Sequence, residues 1–318
     1  MTDVGYVLTF GETMALVRAT EVGDLADVHD ARFGTGGADS NVAIGLARLG
    51  VPAVWVGRVG ADGLGRRVLR DIRGEGVAVH GIVDPDAATG LMVKEKRTPH
   101  TTRVLFYRDG SAGSRLRAGD VPADVVRNAA HVHVSGITAS LSPTAVDEVR
   151  SVLDTAGAAG VPISFDVNHR ASLWRAGDPG ELYRDIARRA RIVFAGVDEA
   201  ELLVGPTGGD RGVLADRICA LGPATAVIKD GARGSLAREG GIVAERAALA
   251  VPVVDSVGAG DAFVAGFLAA RVRGEELSAC LELATAAGAF ACMGAGDWES
   301  MARTADLELL TDNDPVTR

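Results

Sequence analysis

The 318-residue chain has little of several residue types, and each shortage excludes a class of protein. Its three cysteines, Cys219, Cys280 and Cys292, are odd in number and lack C-x-x-C spacing. They argue against a disulfide framework or a zinc site and are typical of a reducing compartment. The six histidines form no metal-ligand pattern. Aromatic residues make up only 4% of the chain, so we expect a core built mainly from Ala, Val, Leu and Ile.

Basic clusters and long apolar runs are also lacking. The net charge is −9 and no run is rich in Lys and Arg, so nucleic acid and membrane surfaces are disfavoured as partners. No apolar run reaches the roughly 18 residues of a membrane-spanning helix. The first residues do not form a basic segment followed by an apolar one, as a secretory signal would. We therefore expect a cytoplasmic protein that binds neither nucleic acid nor membranes.

Short apolar runs alternate with helical patterns along most of the chain. We predict strands at Val7–Phe10, Ala53–Val56, Val132–Val134, Ile163–Phe165, Ile192–Phe194 and Thr225–Ile228. Helical patterns lie between most of them, for example at Pro143–Ala159 and Pro179–Ala190. This alternation predicts an α/β fold with a central, mostly parallel sheet flanked by helices. Active sites of such sheets lie beyond the carboxyl ends of the strands.

Two segments interrupt this alternation. Residues 14–34 and 89–109 contain β-like residues and no long helical pattern. Val93, Val104 and Phe106 fit strands with one apolar and one polar face. The pattern by itself predicts a small additional antiparallel patch.

The most informative stretch covers residues 255–268 and reads DSVGAGDAFVAGFL. The apolar run before it, Ala248–Val254, predicts a buried strand, and the residues after it have helical spacing. The backbone N–H groups of Gly258, Ala259 and Gly260 would then lie at a helix N terminus, where phosphate oxygens bind.

Asp261 follows in the first helical turn. A carboxylate does not attract phosphate, so we predict that it accepts the proton of an attacking hydroxyl group. The chain has no G-x-x-x-x-G-K-[ST] motif, and Phe263 interrupts a dinucleotide fingerprint, so neither motif explains these glycines. A purely structural strand–turn–helix unit remains the alternative.

The same stretch resembles the C-terminal signature of the pfkB (ribokinase-like) sugar kinases, in which the aspartate of G-A-G-D is the catalytic base. Residues 36–50, which begin GGADSN, and residues 57–65, GRVGADGLG, resemble the N-terminal signature. The resemblance extends from Val7 to Leu310. It implies one ribokinase-like domain over residues 1–318, in which 14–34 and 89–109 form a small β-sheet lid over the sugar. It also implies a homo-oligomer that associates through this lid.

Several shorter stretches resemble the 2-keto-3-deoxygluconate kinases of this family. They are residues 103–108 (RVLFYR), 165–170 (FDVNHR) and 296–299 (GDWE). The resemblance implies a sugar-acid pocket lined by Gly37, Asn41, Phe106, Arg108, Asn168, Arg170 and Asp297. Two arginines suit such a substrate, because guanidinium groups present a planar pair of donors to a carboxylate.

The nucleotide side is indicated by residues 229–235, KDGARGS, which resemble the family's K-x-G-x-x-G loop. The resemblance implies that ATP contacts Gly196, Lys229, Gly231, Gly234, Ser235 and Thr285. Glu199 would organise Mg²⁺ through water, and Asp255 would help to bind a monovalent cation such as K⁺, as in some relatives. A plain hairpin turn and an exposed glutamate in a first helical turn are the alternatives.

The chain departs from the family pattern at a few positions. Gly196 stands where relatives have Asn or Ser, and Thr285 stands where many relatives have Asn. Met92 and Phe106 stand at lid positions where sugar-acid kinases have tyrosines. We expect ATP-dependent phosphorylation of the terminal hydroxyl of 2-keto-3-deoxygluconate. The alternatives are a kinase for a neutral ketose such as fructose or for ribose, and a sugar-binding regulator that has lost catalysis.

Overall fold

The computed structural model describes residues 5–98, 101–174 and 178–310. Within these residues nine strands form a large central sheet. In spatial order they are β13 (Ile242–Arg246), β12 (Ser235–Glu239), β11 (Thr225–Lys229), β10 (Ile192–Gly196), β9 (Ile163–Asp166), β8 (His131–Ser135), β1 (Val7–Phe10), β4 (Ala53–Gly60) and β5 (Ala78–Asp84). The seven strands from β11 to β5 are parallel, and β12 is antiparallel to both of its neighbours.

The predicted strands and helices agree with this architecture. All six predicted strands lie in the sheet. The helix α5 (Pro143–Ala159) has the predicted bounds, and α6 (Pro179–Arg189) ends one residue early. Ser142 caps α5 by accepting a hydrogen bond from the N–H of Ala145, and Gly160 ends that helix with a φ of 69°.

Helices cover both faces of the sheet because its strands are apolar on both sides. Leu8 and Phe10 face one core, and Val7 faces the other, as expected from the alternation of side chains along a strand. The remaining helices are α1 (Ala38–Arg48), α2 (Gly63–Gly74), α3 (Ala123–Arg127), α4 (Gly136–Ala139), α7 (Val197–Val204), α8 (Arg211–Leu221), α9 (Ala259–Val272) and α10 (Leu277–Ala291). Among the described helices, none combines the length and apolar character that crossing a bilayer requires.

A second, four-stranded sheet is formed by the two segments that interrupt the alternation. Its order is β3 (Ala31–Gly36), β2 (Met14–Val22), β6 (Leu91–Thr98) and β7 (Thr101–Tyr107). β2 and β6 are parallel, whereas β3 and β7 pair antiparallel with their neighbours. The sheet is therefore mixed rather than wholly antiparallel.

The strand predicted at Ala248–Val254 is wrong. These residues belong to neither a helix nor a strand, and Val253 is 64% exposed. The run contains two alanines, which favour strands weakly, and Pro252, which has no N–H for a ladder. β13 therefore remains the outermost strand of the sheet, and the run does not pair with its free edge.

Candidate active site

A cavity of about 960 Å³ is lined by residues from both sheets. The large sheet contributes residues at the carboxyl ends of its strands, such as Asp166 and Lys229, and the small sheet contributes Met92 and Phe106. The cavity therefore lies where a parallel sheet is expected to bind its ligands. The predicted site residues that line it are Gly37, Asn41, Phe106, Arg108, Asn168, Arg170, Gly196, Glu199, Lys229, Gly258, Gly260, Asp261 and Asp297.

The structure does not place the other predicted residues in the lining of this cavity. Gly231 and Gly234 lie in the turn between β11 and β12 and have positive φ, 53° and 89°, and Ser235 begins β12. A Cβ on Gly234 would lie 2.1 Å from the carbonyl oxygen of Arg246. These glycines thus have a structural reason of their own, as the hairpin alternative requires.

Thr285 lines a different cavity, of about 640 Å³, beside α10. Its hydroxyl group donates to the carbonyl oxygen of Leu281 at 2.8 Å. Leu249, from the run that was predicted as a strand, lines the same cavity. Within that run, Leu249 is the residue that lies in this second cavity beside α10.

Asp261 lies in the first turn of α9 and borders the main cavity. The Nδ2 group of Asn41 on α1 donates to its Oδ2 at 2.8 Å. Burial raises the pKa of Asp261 to about 7, against the lowering effect of the Asn41 hydrogen bond, and Asp166 raises it further. A carboxyl group with this pKa takes up and releases protons near neutral pH.

The N terminus of α9 begins at Gly258, whose φ of 80° suits glycine. The N–H of Ala259 donates to the carbonyl oxygen of Ser256 at 3.3 Å. Among the described residues, no acceptor takes the N–H of Gly260, and a Cβ there would have Lys229 Nζ as its nearest neighbour, at 4.0 Å. Of the predicted anion hole, the Gly260 amide is therefore best placed to meet a ligand.

Lys229 and Asp166 form an ion pair at the carboxyl ends of β11 and β9, which lie on either side of β10. The Nζ of Lys229 lies 2.7 and 2.8 Å from the two carboxylate oxygens of Asp166. Burial lowers the pKa of Lys229, but the neighbouring carboxylates, Asp166 first, outweigh burial, so the pKa is raised and the amine stays charged. Asp166 therefore holds a charged amine at the edge of the cavity.

Glu199 is held by backbone donors at the start of α7. Its Oε2 accepts from the N–H of Gly196 at 2.7 Å, and its Oε1 accepts from the N–H of His169 at 2.9 Å. Gly196 can supply only this backbone group, since it has no side chain. The two contacts fix the carboxylate at the edge of the cavity.

Arg108 is buried and already has a carboxylate partner. Its Nε donates to Glu12 Oε2 at 2.7 Å, and its Nη2 lies 2.5 Å from the same oxygen. The other oxygen of Glu12 accepts from the hydroxyl group of Ser111. Glu12 had no signal in the sequence, because it lies 96 residues from Arg108. The positive charge of Arg108, which we expected to face the substrate carboxylate, is therefore partly neutralised by Glu12.

Arg170, in contrast, is exposed, and its Nη1 donates to the carbonyl oxygen of His169 at 3.0 Å. Among the described residues, no carboxylate forms an ion pair with it. The nearby Asn168 is buried and has a φ of 36°, the only positive φ outside glycine in the described chain. Such a backbone conformation is costly and typical of functional sites.

Asp39, on α1, is a second buried carboxyl group near Asp261. Its Oδ2 accepts from the hydroxyl group of Thr138 at 2.7 Å, and its Oδ1 has no hydrogen-bond partner. Burial raises its pKa to about 8, although the Thr138 hydrogen bond lowers it. Sequence reasoning missed this residue, because its partner lies on another helix, 99 residues away.

His131 and His133 are packing residues in the central sheet. Both are buried in β8, and burial lowers the pKa of each to about 3. The described residues contain no group of three His, Cys, Asp or Glu side chains that could hold a metal ion. The cavity carboxylate Glu199 fits a Mg²⁺ ion that arrives with nucleotide phosphates and keeps its waters, rather than an ion caged by protein alone.

Comparison with known proteins agrees with this geometry. The family model described as pfkB family carbohydrate kinase matches residues 4–303. A 2-dehydro-3-deoxygluconokinase of Bacillus subtilis is 36% identical and is aligned over 92% of this chain and 91% of its own length. A 2-dehydro-3-deoxygalactonokinase of Haloferax volcanii is 33% identical over 89% of each chain.

A solved structure provides the same comparison in three dimensions. A sugar kinase from Pyrococcus horikoshii in complex with ATP superposes with a TM-score of 0.81 at 27% identity, over 96% of this chain and 98% of that chain. The ribokinase-like fold predicted from the sequence is confirmed. The chain belongs to the pfkB family of carbohydrate kinases and is an ATP-dependent sugar kinase.

Proposed function

We propose that this kinase transfers the γ-phosphoryl group of ATP to the terminal hydroxyl of 2-keto-3-deoxygluconate, giving 2-keto-3-deoxy-6-phosphogluconate. One observation carries the proposal: a single cavity contains Asp261, the N terminus of α9 and the two arginines Arg108 and Arg170. Both curated relatives are named for 2-dehydro-3-deoxy sugar acids, which supports the same substrate class.

Asp261 is the proposed proton acceptor. A pKa near 7 leaves about half of its carboxylate ionised at neutral pH, where a general base is most effective. The hydrogen bond from Asn41 orients Oδ2, which leaves Oδ1 for the attacking hydroxyl group. The amides of Gly258, Ala259 and Gly260 stabilise the charge of the transferred phosphoryl group, with Gly260 the least encumbered.

Recognition of the substrate carboxylate is assigned mainly to Arg170, because its guanidinium has no internal carboxylate partner among the described residues. Arg108 shares its charge with Glu12 and contributes its remaining N–H groups. Phe106 lies beneath the Arg108 guanidinium, with 5.8 Å between its ring centroid and Cζ. The other residues proposed to surround the sugar are Gly37, Asn41, Asn168 and Asp297.

The nucleotide is proposed to extend from the main cavity towards the second one. Lys229 and Gly196 line the main cavity and would approach the phosphates. The turn that carries Gly231, Gly234 and Ser235 would adjoin the nucleotide, and Thr285 would lie near the base. Leu249 supplies apolar surface in that second cavity.

The proposed ions are Mg²⁺ and a monovalent cation. Glu199 would hold Mg²⁺ through water, and the ion would supply positive charge to the phosphates. The monovalent cation beside Asp255 is either a soluble K⁺ or the ammonium group of Lys94, whose Nζ lies 3.7 Å from that carboxylate. Turnover of the wild type in potassium and in tetramethylammonium chloride separates the two.

Oligomerisation through the small sheet is a further part of the proposal. Phe33 and Tyr107, on its two outer strands, are 58% and 61% exposed, and a second copy of the sheet would cover them. Sedimentation of the native protein and of the double variant Phe33→Ser/Tyr107→Ser tests this proposal. A native protein that sediments as a monomer, as the variant should, would contradict it. We propose a cytoplasmic location, in keeping with the three free cysteines.

The decisive experiment is a substrate panel on purified protein, with ADP release as the readout and Asp261→Asn as the matched control. We expect the highest kcat/KM for 2-keto-3-deoxygluconate or its galactonate epimer, and a loss of about 10²–10⁴-fold in kcat for the variant, the range for a general base. Higher kcat/KM for fructose or ribose would favour the neutral-sugar kinase. No ADP release with any sugar would favour the silent regulator.

A further inference from the structure

One charged side chain is buried where the small sheet meets the N terminus of α9. Lys94 lies on β6 and is 1% exposed. Its Nζ lies 2.5 Å from Oδ1 of Asp297 and 3.7 Å from Oδ2 of Asp255, and it donates to the carbonyl oxygen of Gly296 at 3.1 Å. A buried ammonium is tolerated only where oxygens replace its water. Here two carboxylates and a carbonyl group do so.

The partners of Lys94 support the turn that begins α9. A Cβ on Gly258 would lie 1.9 Å from the carbonyl oxygen of Asp297, so these two backbones are in direct contact. Asp255 precedes this turn in the chain, and its Oδ1 accepts from the N–H of Val257 at 3.1 Å. The carboxylates that Lys94 holds therefore flank the three residues leading into the candidate anion hole.

Lys94 also connects this turn to the sugar side of the cavity. It and Met92 are two residues apart on β6, so their side chains leave the same face of the strand, and both line the cavity. A substrate that contacts Met92 would thus contact the same strand that carries Lys94, the partner of Asp297 and Asp255. The Lys94 ammonium group therefore links the sugar side of the cavity to the turn that begins α9.

We propose that Lys94 is a positioning residue whose ammonium acts as a tethered monovalent cation, binding Asp255 and Asp297 to the small sheet and so fixing the amides at the start of α9. This inference rests on the proposed function only in requiring a phosphate-bearing ligand at these amides; the identity of the sugar does not enter. Its consequence is that the wild-type kinase needs no soluble monovalent cation. Without the lysine charge, a soluble cation should take its place.

The test compares the wild type, Lys94→Met and the control Lys96→Met, which removes a lysine from the same strand. Turnover is measured in tetramethylammonium, potassium and ammonium chloride at equal ionic strength. The wild type and the control should vary by no more than about twofold, because screening is constant. Lys94→Met should lose about 10²-fold in kcat in tetramethylammonium, the scale for a lost pre-organised donor. Potassium or ammonium should raise the kcat of this variant by at least about tenfold, because the soluble cation replaces the missing ammonium group.

ATP binding by calorimetry, without sugar, provides a readout independent of turnover. Affinity should fall in Lys94→Met and return with potassium or ammonium, while the control binds as the wild type does. If no sugar is phosphorylated by the wild type, the proposed function fails and this binding series still decides the present inference. Activation of the wild type by potassium would overturn it, as would a folded Lys94→Met with undiminished ATP affinity. Should that variant not fold, the wild-type cation series remains decisive.

Discussion

The hydrogen bond from Asn41 to Asp261 should determine where the acid limb of the pH–rate profile lies. In the wild type, kcat/KM should fall below about pH 7, because protonation of Asp261 removes the proton acceptor. The Asn41 Nδ2 donor stabilises the ionised form. Asn41→Leu keeps the volume of the side chain and removes this donor, so the pKa of Asp261 should rise and the limb should move to more alkaline pH.

The size of the shift follows from the strength of the contact. A hydrogen bond to a charged group is worth about 1.5–3 kcal/mol. At about 1.4 kcal/mol per pKa unit, the pKa of Asp261 would move from about 7 to about 8–9. At pH 7 the ionised fraction, and with it kcat/KM, would then fall by about 5- to 50-fold. Raising the pH above the new pKa should recover most of the loss.

The assay is ADP release with the best substrate, followed as kcat/KM from acid to alkaline pH. Ser40→Ala is the matched control on the same helix, since its hydroxyl group donates to the carbonyl oxygen of Gly37 and not to Asp261. It should leave the limb in place. A loss in Asn41→Leu that is the same at every pH would refute the reasoning, because it would show that Asn41 only contacts the sugar.

Three further outcomes are expected. Gly260→Ala should not reduce the free energy of unfolding, since its Cβ has open space, yet it should lower kcat/KM for ATP by crowding the amide; unchanged ATP kinetics would count against the anion hole. Arg108→Ala should lower the free energy of unfolding by about 3–5 kcal/mol in urea denaturation, because it leaves Glu12 buried without its arginine partner. Arg170→Ala should leave that free energy nearly unchanged and should reduce kcat/KM for acid sugars more than for neutral ones. The pKa of Asp39 in the folded state is about 8, above its usual value, so the native state binds this proton more tightly than the unfolded chain does. The free energy of unfolding of the wild type, measured in urea relative to Asp39→Asn, should therefore fall as the pH rises towards 8.

The sequence by itself determined the features that depend on near neighbours along the chain. The period of apolar residues located six strands and the ends of α5, because the alternation of strands and the capping of helices are local properties. The glycines before Asp261 marked the N terminus of α9 for the same reason. Local pattern was misleading at Ala248–Val254, where Pro252 lacks the N–H for a ladder and the run leaves the edge strand β13 unpaired on its outer side.

The tertiary structure alone decided which charges face one another. Lys94 meets Asp297 across 203 positions of the chain, and Arg108 meets Glu12 across 96. No periodicity relates such residues, since the path of the chain brings them together only after the sheets have packed. Burial then makes the pairing strict, because an ionised group removed from water must find an opposite charge or a hydrogen-bond partner. The motifs thus located the chemistry of this kinase, and the packing of two sheets selected the charges that hold it in place.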